Sequence, residues 1–411
     1  MLNSVSSRLR VLRGNLGVVL VSSGFWHLAG AMVMPFYALY VLGLGGSYVD
    51  IGLISALGSV VRIVPALVGG YLADSMGRKR IVYTMTFLMA LSELVNAVAP
   101  SYHYLFAAAA LGAIFSGIRE PAFGSLFADS TNPDNRALSY ALWNVVPPLF
   151  GLLSPYIMGV LIDRHGVVVA MRWGYLFVVA MYVVAGLLRW RYLEETFVPE
   201  AGEGMGLRGV IGDFLGDFRS TLGALPRQLW VFVGLDLLYT AAWAFCDPYF
   251  VTYATEEVGL TSSQWGLSMT MVTVVNILVR LPAASASDRQ GRKKFIWPTG
   301  LMFPVVIYLF LNSRGFVDVL IIRVAFAVVV GLNAPAWQAL FADYAPREHR
   351  GRFNALLNVV RPLLWSGGTI LGGYLYQTYS SRATFMVGIS ILTVGAVAVL
   401  LFLREPEKRE E

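Results

Sequence analysis

The segments GYLADSMGRK at residues 70–79 and ASASDRQGRK at residues 284–293 share an aspartate followed, at fixed spacing, by Gly-Arg-Lys. The segments PAFGSLFAD at 121–129 and PAWQALFAD at 335–343 form a second matching pair. Both pairs are separated by 214 positions. Self-similarity at one fixed offset indicates an internal repeat, so the chain consists of two copies of one structural unit.

The repeat extends beyond these segments in the same register. Further matches at the same offset join Arg136 to Arg350, Asn144 to Asn358, Pro148 to Pro362 and Gly159 to Gly373. Near the N-terminus the offset becomes 213, between Pro35 and Pro248, which indicates one inserted residue. A register held from residue 70 to residue 159 is not a chance similarity.

The composition places the chain in a membrane. Of the 411 residues, 57% are hydrophobic and only 14% are Asp, Glu, Lys or Arg, against about a quarter charged in soluble domains. So few charges cannot cover the surface of a soluble protein of this length. The single cysteine, Cys246, excludes a disulfide-stabilised secreted scaffold, and the apolar content excludes disorder.

Twelve apolar runs have the length that a membrane-spanning helix needs, about 20 residues. They lie at about 15–42, 48–74, 80–100, 104–128, 138–162, 170–190, 228–254, 262–287, 295–313, 316–342, 352–378 and 382–404. Their length and lack of alternating polarity favour helices over barrel strands. We therefore expect an all-α integral membrane protein with twelve transmembrane helices in two pseudo-symmetric six-helix bundles, 1–190 and 228–411. A polar linker, 191–227, joins the two bundles. Residues 212–219 of this linker are equally compatible with an amphipathic surface helix and with a plain linker.

Basic residues are distributed unevenly between the two sides of the membrane. With these boundaries, 22 of the 31 Lys and Arg residues lie on the side that holds both termini, and four lie on the other side. Cytoplasmic loops carry such an excess, so both termini of this multi-pass protein of the cell membrane are expected in the cytoplasm. The net charge of +6 is thereby explained by topology. Without a basic soluble domain, no nucleic-acid binding is expected.

The loop pattern G-x-x-x-D-x-x-G-R-[KR] runs from Gly70 to Lys79 and recurs at 284–293, with Ala284 in place of the first glycine. It resembles the signature of the major facilitator superfamily, and the resemblance extends over nearly the whole chain, including the helices, the linker and the repeat. It implies two six-helix bundles that move about a substrate site near the middle of the membrane, as in transporters with parallel repeats.

The signature residues also predict how the inner side closes. A glycine permits a tight loop, and a carboxylate at the inner end of a helix can pair with arginine or face a helix N-terminus. Such contacts would break when the inner side opens; the alternative is that the charges only anchor the topology. The predicted cytoplasmic gating motif comprises Gly70, Asp74, Gly77, Arg78, Asp129, Arg136, Asp288, Gly291, Arg292, Asp343 and Arg350.

The predicted direction of transport depends on helix five, where residues 151–159 read GLLSPYIMG. This run resembles the glycine-rich antiporter signature of the family, with Ser154 and Met158 in place of two glycines. The alternative is close helix packing through small residues. We expect proton-coupled export (antiport) of an amphipathic compound by alternating access. Proton-coupled import of a sugar or an organic anion is the alternative function.

Ionisable residues inside transmembrane helices are costly and need partners or a water-filled cavity. Proton coupling requires a carboxylate or a histidine that binds and releases a proton. The candidates for this role are His27, Glu93, Glu120, Asp236 and Asp247. For each candidate the alternative is a static ion pair, for example Arg62 with Glu93 or with Glu120.

Helix seven carries Asp236, Thr240, Trp243 and Asp247 at spacings i, i+4, i+7 and i+11, so one face of this helix is expected to line a cavity. Aromatic rings with a few amide groups suit an amphipathic substrate. Acids among aromatics favour a lipophilic cation, whereas unpaired arginines favour an organic anion. The predicted substrate-cavity residues are Arg62, Arg119, Asn144, Trp243, Asn276, Asn333 and Trp337.

Other functional classes find little support in the sequence. The common hydrolase, zinc-protease and P-loop motifs are missing, so we expect neither an enzyme nor a cofactor. Without an ATP site, transport is expected to be driven by a gradient or to be passive. Four scattered histidines predict no metal site. A binding-only sensor is an alternative, and a channel is disfavoured because the duplicated loops indicate alternating closure. The expected partners are a small-molecule substrate, protons and the lipid bilayer, and we expect a monomer.

Overall fold

The computed structural model describes residues 14–131, 136–197, 227–344 and 350–405. Every regular element in these ranges is helical, which confirms the predicted all-α fold. The helices are Asn15–Val33, Tyr37–Gly43, Tyr48–Val61, Ile63–Met76, Arg78–Val98, His103–Asp129, Arg136–Phe150, Ser154–His165, Val167–Tyr192, Arg227–Cys246, Phe250–Glu256, Ser262–Gln290, Lys293–Leu311, Phe316–Tyr344, Arg350–Thr378 and Ser381–Phe402. The surface helix considered at 212–219, and most of the predicted linker, lie outside the described residues.

These helices group into twelve spans, numbered 1 to 12 in chain order. Spans 1 to 6 are Asn15–Gly43, Tyr48–Ala73, Arg78–Val98, His103–Asp129, Leu138–His165 and Val167–Tyr192. Spans 7 to 12 are Arg227–Glu256, Ser262–Gln290, Lys293–Leu311, Phe316–Tyr344, Arg350–Thr378 and Ser381–Phe402.

Within the described part of the chain, ten spans are long and apolar enough to cross a membrane. Counting the two parts of span 8, Ser262–Arg280 and Pro282–Gln290, as one span brings the number of such spans to eleven. The two parts meet at an angle of 42°. The bend lies at Pro282, because a proline inside a helix removes a hydrogen bond and clashes with the preceding turn. Span 11 has the length, 29 residues, but arginines such as Arg361 and several glycines make it less apolar.

Spans 1 and 7 are interrupted at the same point of the repeat. Short 3₁₀ turns, Met34–Phe36 and Asp247–Tyr249, follow the first helix of each span, and each has a proline, Pro35 or Pro248, near its start. Because proline cannot donate the backbone hydrogen bond that a helix interior requires, both helices end there. The internal repeat of the sequence is therefore also a repeat of backbone structure.

The chain forms two compact units. The first comprises Met1–Gly46 and Leu57–Val210, and the second comprises Ser47–Ala56 and Ile211–Glu411, so the start of span 2 packs with the second unit. In the first unit, span 1 packs on spans 5 and 6, span 3 on spans 4 and 6, and span 2 on span 4. The second unit repeats these five pairs among spans 7 to 12.

Both units have an apolar core at equivalent positions. In the first unit, Ala122 and Leu126 are fully buried within a cluster of side chains from spans 1 to 4. In the second unit, Ala336 and Leu340 are fully buried in a cluster that includes Phe232 of span 7. Ala122 and Leu126 lie 214 positions before Ala336 and Leu340, so the sequence repeat preserves the core of each unit.

Candidate functional site

The predicted gating motif centres on two glycine turns. Gly77 joins spans 2 and 3 with φ +90°, and Gly291 joins spans 8 and 9 with φ +99°. Residues with a side chain rarely adopt this backbone conformation. The glycines predicted at these two positions are therefore required by the backbone itself.

Each turn is followed by an arginine that pairs with an aspartate. Arg78 forms an ion pair with Asp129 at the end of span 4, and Arg292 forms the equivalent pair with Asp343 at the end of span 10. Arg292 also lies 3.6 Å from a carboxylate oxygen of Asp288. The structure thus brings together, within each unit, the arginine and aspartate that the repeat singled out.

Two glutamates complete these loops. The Glu195 carboxylate accepts hydrogen bonds from the backbone N–H groups of Arg78 and Lys79, at 3.0 and 3.1 Å. Glu405 accepts one from the N–H of Lys293, at 3.0 Å. Both carboxylates therefore face the N-terminus of a span, where the helix dipole stabilises negative charge.

The glutamates are absent from the predicted motif, although the sequence contains a signal for them. Each lies two residues after a buried leucine, Leu193 or Leu403, just beyond the last span of its unit. The spacing between the two glutamates is 210 residues, so a search at the offset of 214 does not find them.

The remaining gating candidates contribute less to the described contacts. A side chain added at Gly70 would meet no atom within 4 Å, so close packing does not explain this glycine. Arg136 is exposed at the start of its helix. Asp74 and Arg350 lie on described helices, but their side chains are outside the described part of the structure.

In the first unit, Arg62 forms an ion pair with Glu120, and both side chains are 44% exposed. Of the two partners predicted for Arg62, the structure therefore selects Glu120. Glu93 instead accepts a hydrogen bond from the Asn96 side chain at 2.9 Å. His27 is half-buried, with its ring edge-on to Trp26 at a centroid distance of 5.2 Å.

Two further arginines are buried in the first unit. The guanidinium of Arg119, a residue only 8% exposed, lies over the rings of Trp26 and Phe123, 5.7 and 5.9 Å from their centroids. Arg189, which is 1% exposed, lies 5.2 Å from the centroid of Phe123. The sequence does not single out Arg189 as a site residue, because a position near the end of span 6 is typical of an inner-side charge.

The second unit contains a buried carboxylate with two donors. Arg361 Nε lies 2.6 Å from one oxygen of Asp236, and the indole N–H of Trp337 donates to the other oxygen at 3.2 Å. Asp236 is 7% exposed, whereas the Arg361 side chain is 39% exposed. The structure thus brings two predicted residues, Asp236 and Trp337, together with Arg361.

The predicted stripe on helix seven extends to the end of its α-helix. The α-helix ends at Cys246, and Asp247 opens the 3₁₀ turn that contains Pro248. Asp247 therefore lies just beyond the regular helix that carries Asp236, Thr240 and Trp243. Thr240 donates its hydroxyl to the backbone carbonyl of Asp236 at 2.8 Å, so that hydroxyl hydrogen is not available to a substrate.

Asp247 lies near a different buried cation. It interacts electrostatically with Arg323, whose guanidinium lies within 5.8 Å of the ring centroids of Phe250, Trp265 and Phe326. Trp243 packs edge-on against Phe326 and is part of the same aromatic group. Phe303 and Tyr239 connect this group through ring contacts to Trp337, the donor to Asp236.

The predicted amide side chains are mostly used within their own units. Asn144 donates to the carbonyl of Tyr140, and Asn333 donates to the hydroxyl of Thr299, both at 2.8 Å. Asn276 is half-buried beside Gly331. Among the described residues, no three His, Cys, Asp or Glu side chains gather as a metal site would require.

Comparisons with known proteins agree with this architecture. The family model described as the Major Facilitator Superfamily matches residues 19–242 and 232–411. A multidrug resistance efflux pump PmrA homolog from Lactococcus lactis is 25% identical over 393 residues, covering 92% of each chain. The multidrug resistance protein MdtG of Dickeya zeae is 24% identical over 416 residues, covering 96% of each chain.

Among solved structures, the xylose transporter XylE from E. coli aligns with a TM-score of 0.71 and 15% sequence identity, covering 95% of this chain and 96% of that one. This likeness shows a shared fold. Together, the match of the family model to both units and the conserved helix arrangement establish that the chain is a multi-pass membrane transporter of the Major Facilitator Superfamily.

Proposed function

We propose that this transporter exports an amphipathic small molecule from the cytoplasm in exchange for protons, by alternating access across the cell membrane. The proposal is supported by one relative named as a multidrug resistance efflux pump and another named as a multidrug resistance protein, both aligned with more than nine-tenths of this chain. It is also supported by the degenerate antiporter pattern at residues 151–159. The excess of basic residues on one side favours cytoplasmic termini.

The observation that carries proton coupling is the Asp236 pair. Asp236 is buried and held by Arg361 and Trp337, yet Arg361 itself is partly accessible. Protonation of the carboxylate would remove its charge and weaken its bond to Arg361, which could then rearrange. A group that exchanges between a proton and a cationic partner is the element that a coupled cycle needs.

The duplicated loops supply the gate in this proposal. In each unit an arginine ties the start of one span to the end of another, and a glutamate holds the N-terminal amides of that span. These contacts stabilise one arrangement of the loops. We expect these contacts to rearrange when the cytoplasmic side opens, and their strength would then contribute to the balance between the two states.

Reconstituted protein in liposomes with an imposed pH gradient tests the function. We expect substrate-triggered proton movement opposite to the movement of an amphipathic aromatic probe. Proton movement in the same direction would replace export by proton-coupled import, and substrate flux without proton movement would remove the proton from the mechanism. Absence of flux for every charge class of probe would contradict transport of amphipathic compounds.

Asp236→Asn separates coupling from binding. The variant should lose transport driven by the pH gradient but keep exchange of labelled for unlabelled substrate, because exchange requires no net proton movement. Asp318→Asn is the matched control, since Asp318 is exposed and, among the described residues, accepts a hydrogen bond only from the N–H of Arg314, at 2.9 Å. Proton-driven transport that survives Asp236→Asn would remove Asp236 from the coupling mechanism.

A further inference from the structure

We infer that the first unit binds the anionic group of a substrate at Arg119, between the rings of Trp26 and Phe123. We call these three residues the Arg119 site. The inference deepens the proposed function by naming a substrate class, and it rests on that function only for the statement that the ligand is transported.

Arg119 is a buried cation to which none of the described residues supplies a counterion. It makes neither a hydrogen bond nor an ion pair with any described residue, and its Nε is fully buried. A buried guanidinium in a membrane helix is unfavourable unless an acceptor or an anion compensates its charge. The two aromatic rings compensate only part of that cost, because a ring face attracts a cation more weakly than a carboxylate does.

A second unpartnered donor lies beside it. The indole N–H of Trp26 is buried and makes no hydrogen bond to any described residue, although its ring lies against Arg119. Buried donors are nearly always satisfied in folded proteins. The hydroxyl of Tyr182 lies near the Trp26 indole, without forming a hydrogen bond of normal geometry, and it interacts electrostatically with Arg119 and with Glu93. Donors from Arg119, Trp26 and Tyr182 can therefore converge on one acceptor that no described residue supplies.

The nearby acids do not serve as that acceptor. Glu120 follows Arg119 in sequence but points about 100° away around the helix, and its carboxylate pairs with Arg62. Glu93 lies five residues from the end of span 3 at Val98, whereas Arg119 lies sixteen residues from the start of span 4 at His103. Since a short loop joins those two ends, the two groups differ in depth by about 16 Å at 1.5 Å per residue.

Arg189 adds to the positive electrostatic potential at the Arg119 site. Its guanidinium contacts the ring of Phe123, as Arg119 does, and its hydrogen bonds go to the hydroxyls of Ser22, Thr86 and Ser23, at 3.1, 2.7 and 3.3 Å. Hydroxyls satisfy its donors but carry no negative charge. An anion at Arg119 would therefore be attracted by two buried cations in a region of low dielectric constant.

The second unit shows what the first unit lacks. At the offset of 213 that applies to span 1, Ser23 corresponds to Asp236, and at 214 Phe123 corresponds to Trp337. In the second unit this position supplies a carboxylate to a partly exposed arginine, Arg361. In the first unit the equivalent serine supplies only a hydroxyl. The missing negative charge is the one that a ligand would bring.

The ligand class follows from the site. A planar aromatic molecule with a carboxylate can pair its charge with Arg119, accept from Trp26 and stack beside Phe123. A matching neutral amide would lose the charge-assisted part of this binding. Matched pairs of simple compounds, benzoate with benzamide and 2-naphthoate with 2-naphthamide, therefore test the charge alone.

Binding is measured as ligand-dependent thermal unfolding of the purified full-length protein. We expect both carboxylates to bind at least about tenfold more tightly than their amides, the effect of one charge-assisted hydrogen bond. Arg119→Gln should abolish this preference and Arg119→Lys should retain part of it. Arg164→Gln, which changes an exposed arginine of the same unit, is the control and should keep the full preference.

Equal binding of carboxylate and amide by the wild type, or an undiminished preference in Arg119→Gln, would overturn the inference. If Arg119→Gln does not fold, Trp26→Phe is the deciding variant, because it keeps an aromatic ring but removes the N–H donor. It should weaken binding of the carboxylate compounds and leave binding of the amides unchanged. The inference fails if Trp26→Phe leaves the carboxylate unaffected.

Flux in liposomes separates this inference from the proposed function. If the wild type binds 2-naphthoate with the expected preference but moves neither naphthalene compound, the anion site stands and transport of this class is wrong. If the wild type exports 2-naphthamide against a proton gradient but shows no carboxylate preference, the proposed function stands and the anion site is wrong.

Discussion

Arg361 Nε lies 2.6 Å from Oδ2 of Asp236 in the second unit. The sequence repeat places a serine, Ser23, at the position of the first unit that is equivalent to Asp236. The two units therefore share one helix arrangement but differ in their buried charges. The second has a paired carboxylate, which suits a group that takes up and releases a proton. In the described part of the first unit, Arg119 and Arg189 have no carboxylate partner, which suits a site that holds an anion.

The Asp236–Arg361 pair should show strong energetic coupling. Removing one partner of a pair with intermediate burial should cost about 2 kcal/mol of stability, between the values for exposed and fully buried pairs. Asp236→Asn together with Arg361→Gln should cost less than the sum of the two single changes, because no unpaired charge remains. A double-mutant cycle from denaturant unfolding in detergent measures this, and additive single effects would contradict the pairing.

Glycine should be required at the two turns of the gating motif. Gly77→Ala places a methyl group 2.7 Å from a carboxylate oxygen of Glu195 and forces a side chain into a backbone conformation with φ +90°. We expect each of Gly77→Ala and Gly291→Ala to cost about 1–3 kcal/mol. Thermal unfolding measures the loss.

Gly70→Ala is the matched control for these changes. Gly70 lies inside a helix of the same signature, and an added methyl group meets no atom within 4 Å. It should be neutral or stabilise the helix by up to about 1 kcal/mol. If Gly70→Ala causes a large loss of stability and Gly77→Ala causes none, the backbone conformation of the turn is not the reason why the signature contains glycine.

Glu195 and Glu405 should hold the N-termini of spans 3 and 9. Glu195→Gln keeps an acceptor oxygen but removes the charge that faces the helix dipole, so it should cost about 0.5–1 kcal/mol. Amide hydrogen exchange should rise at Arg78 and Lys79, whose N–H groups bond to Glu195. The two carboxylates are not caps if amide hydrogen exchange at the start of span 3 is unchanged in Glu195→Gln and exchange at the start of span 9 is unchanged in Glu405→Gln.

The sequence predicts the fold and the gating pairs because both depend on short segments that the repeat preserves twice. It does not predict the glutamate caps, since Glu195 reaches Arg78 from 117 positions away. The stripe on helix seven does not by itself indicate that the α-helix ends at Cys246, where Pro248 lies within a 3₁₀ turn that begins at Asp247. The choice of Glu120 over Glu93 as the partner of Arg62 depends on the depth of each residue along packed helices, which hydropathy does not reveal.

Spans 2 and 4 should depend on one glycine for their close contact. A methyl group at Gly69 would lie 2.5 Å from the carbonyl oxygen of Ile118 and 2.7 Å from its Cα. These are backbone atoms, which cannot move aside without shifting a whole helix, so Gly69→Ala should destabilise the first unit by about 1–3 kcal/mol. Gly58→Ala on the same span is the control, because its nearest neighbours lie 3.9 and 4.0 Å away. The unfolding temperature of Gly69→Ala should therefore be well below those of Gly58→Ala and the wild type. If both variants unfold at the wild-type temperature, the two helices do not approach each other through Gly69.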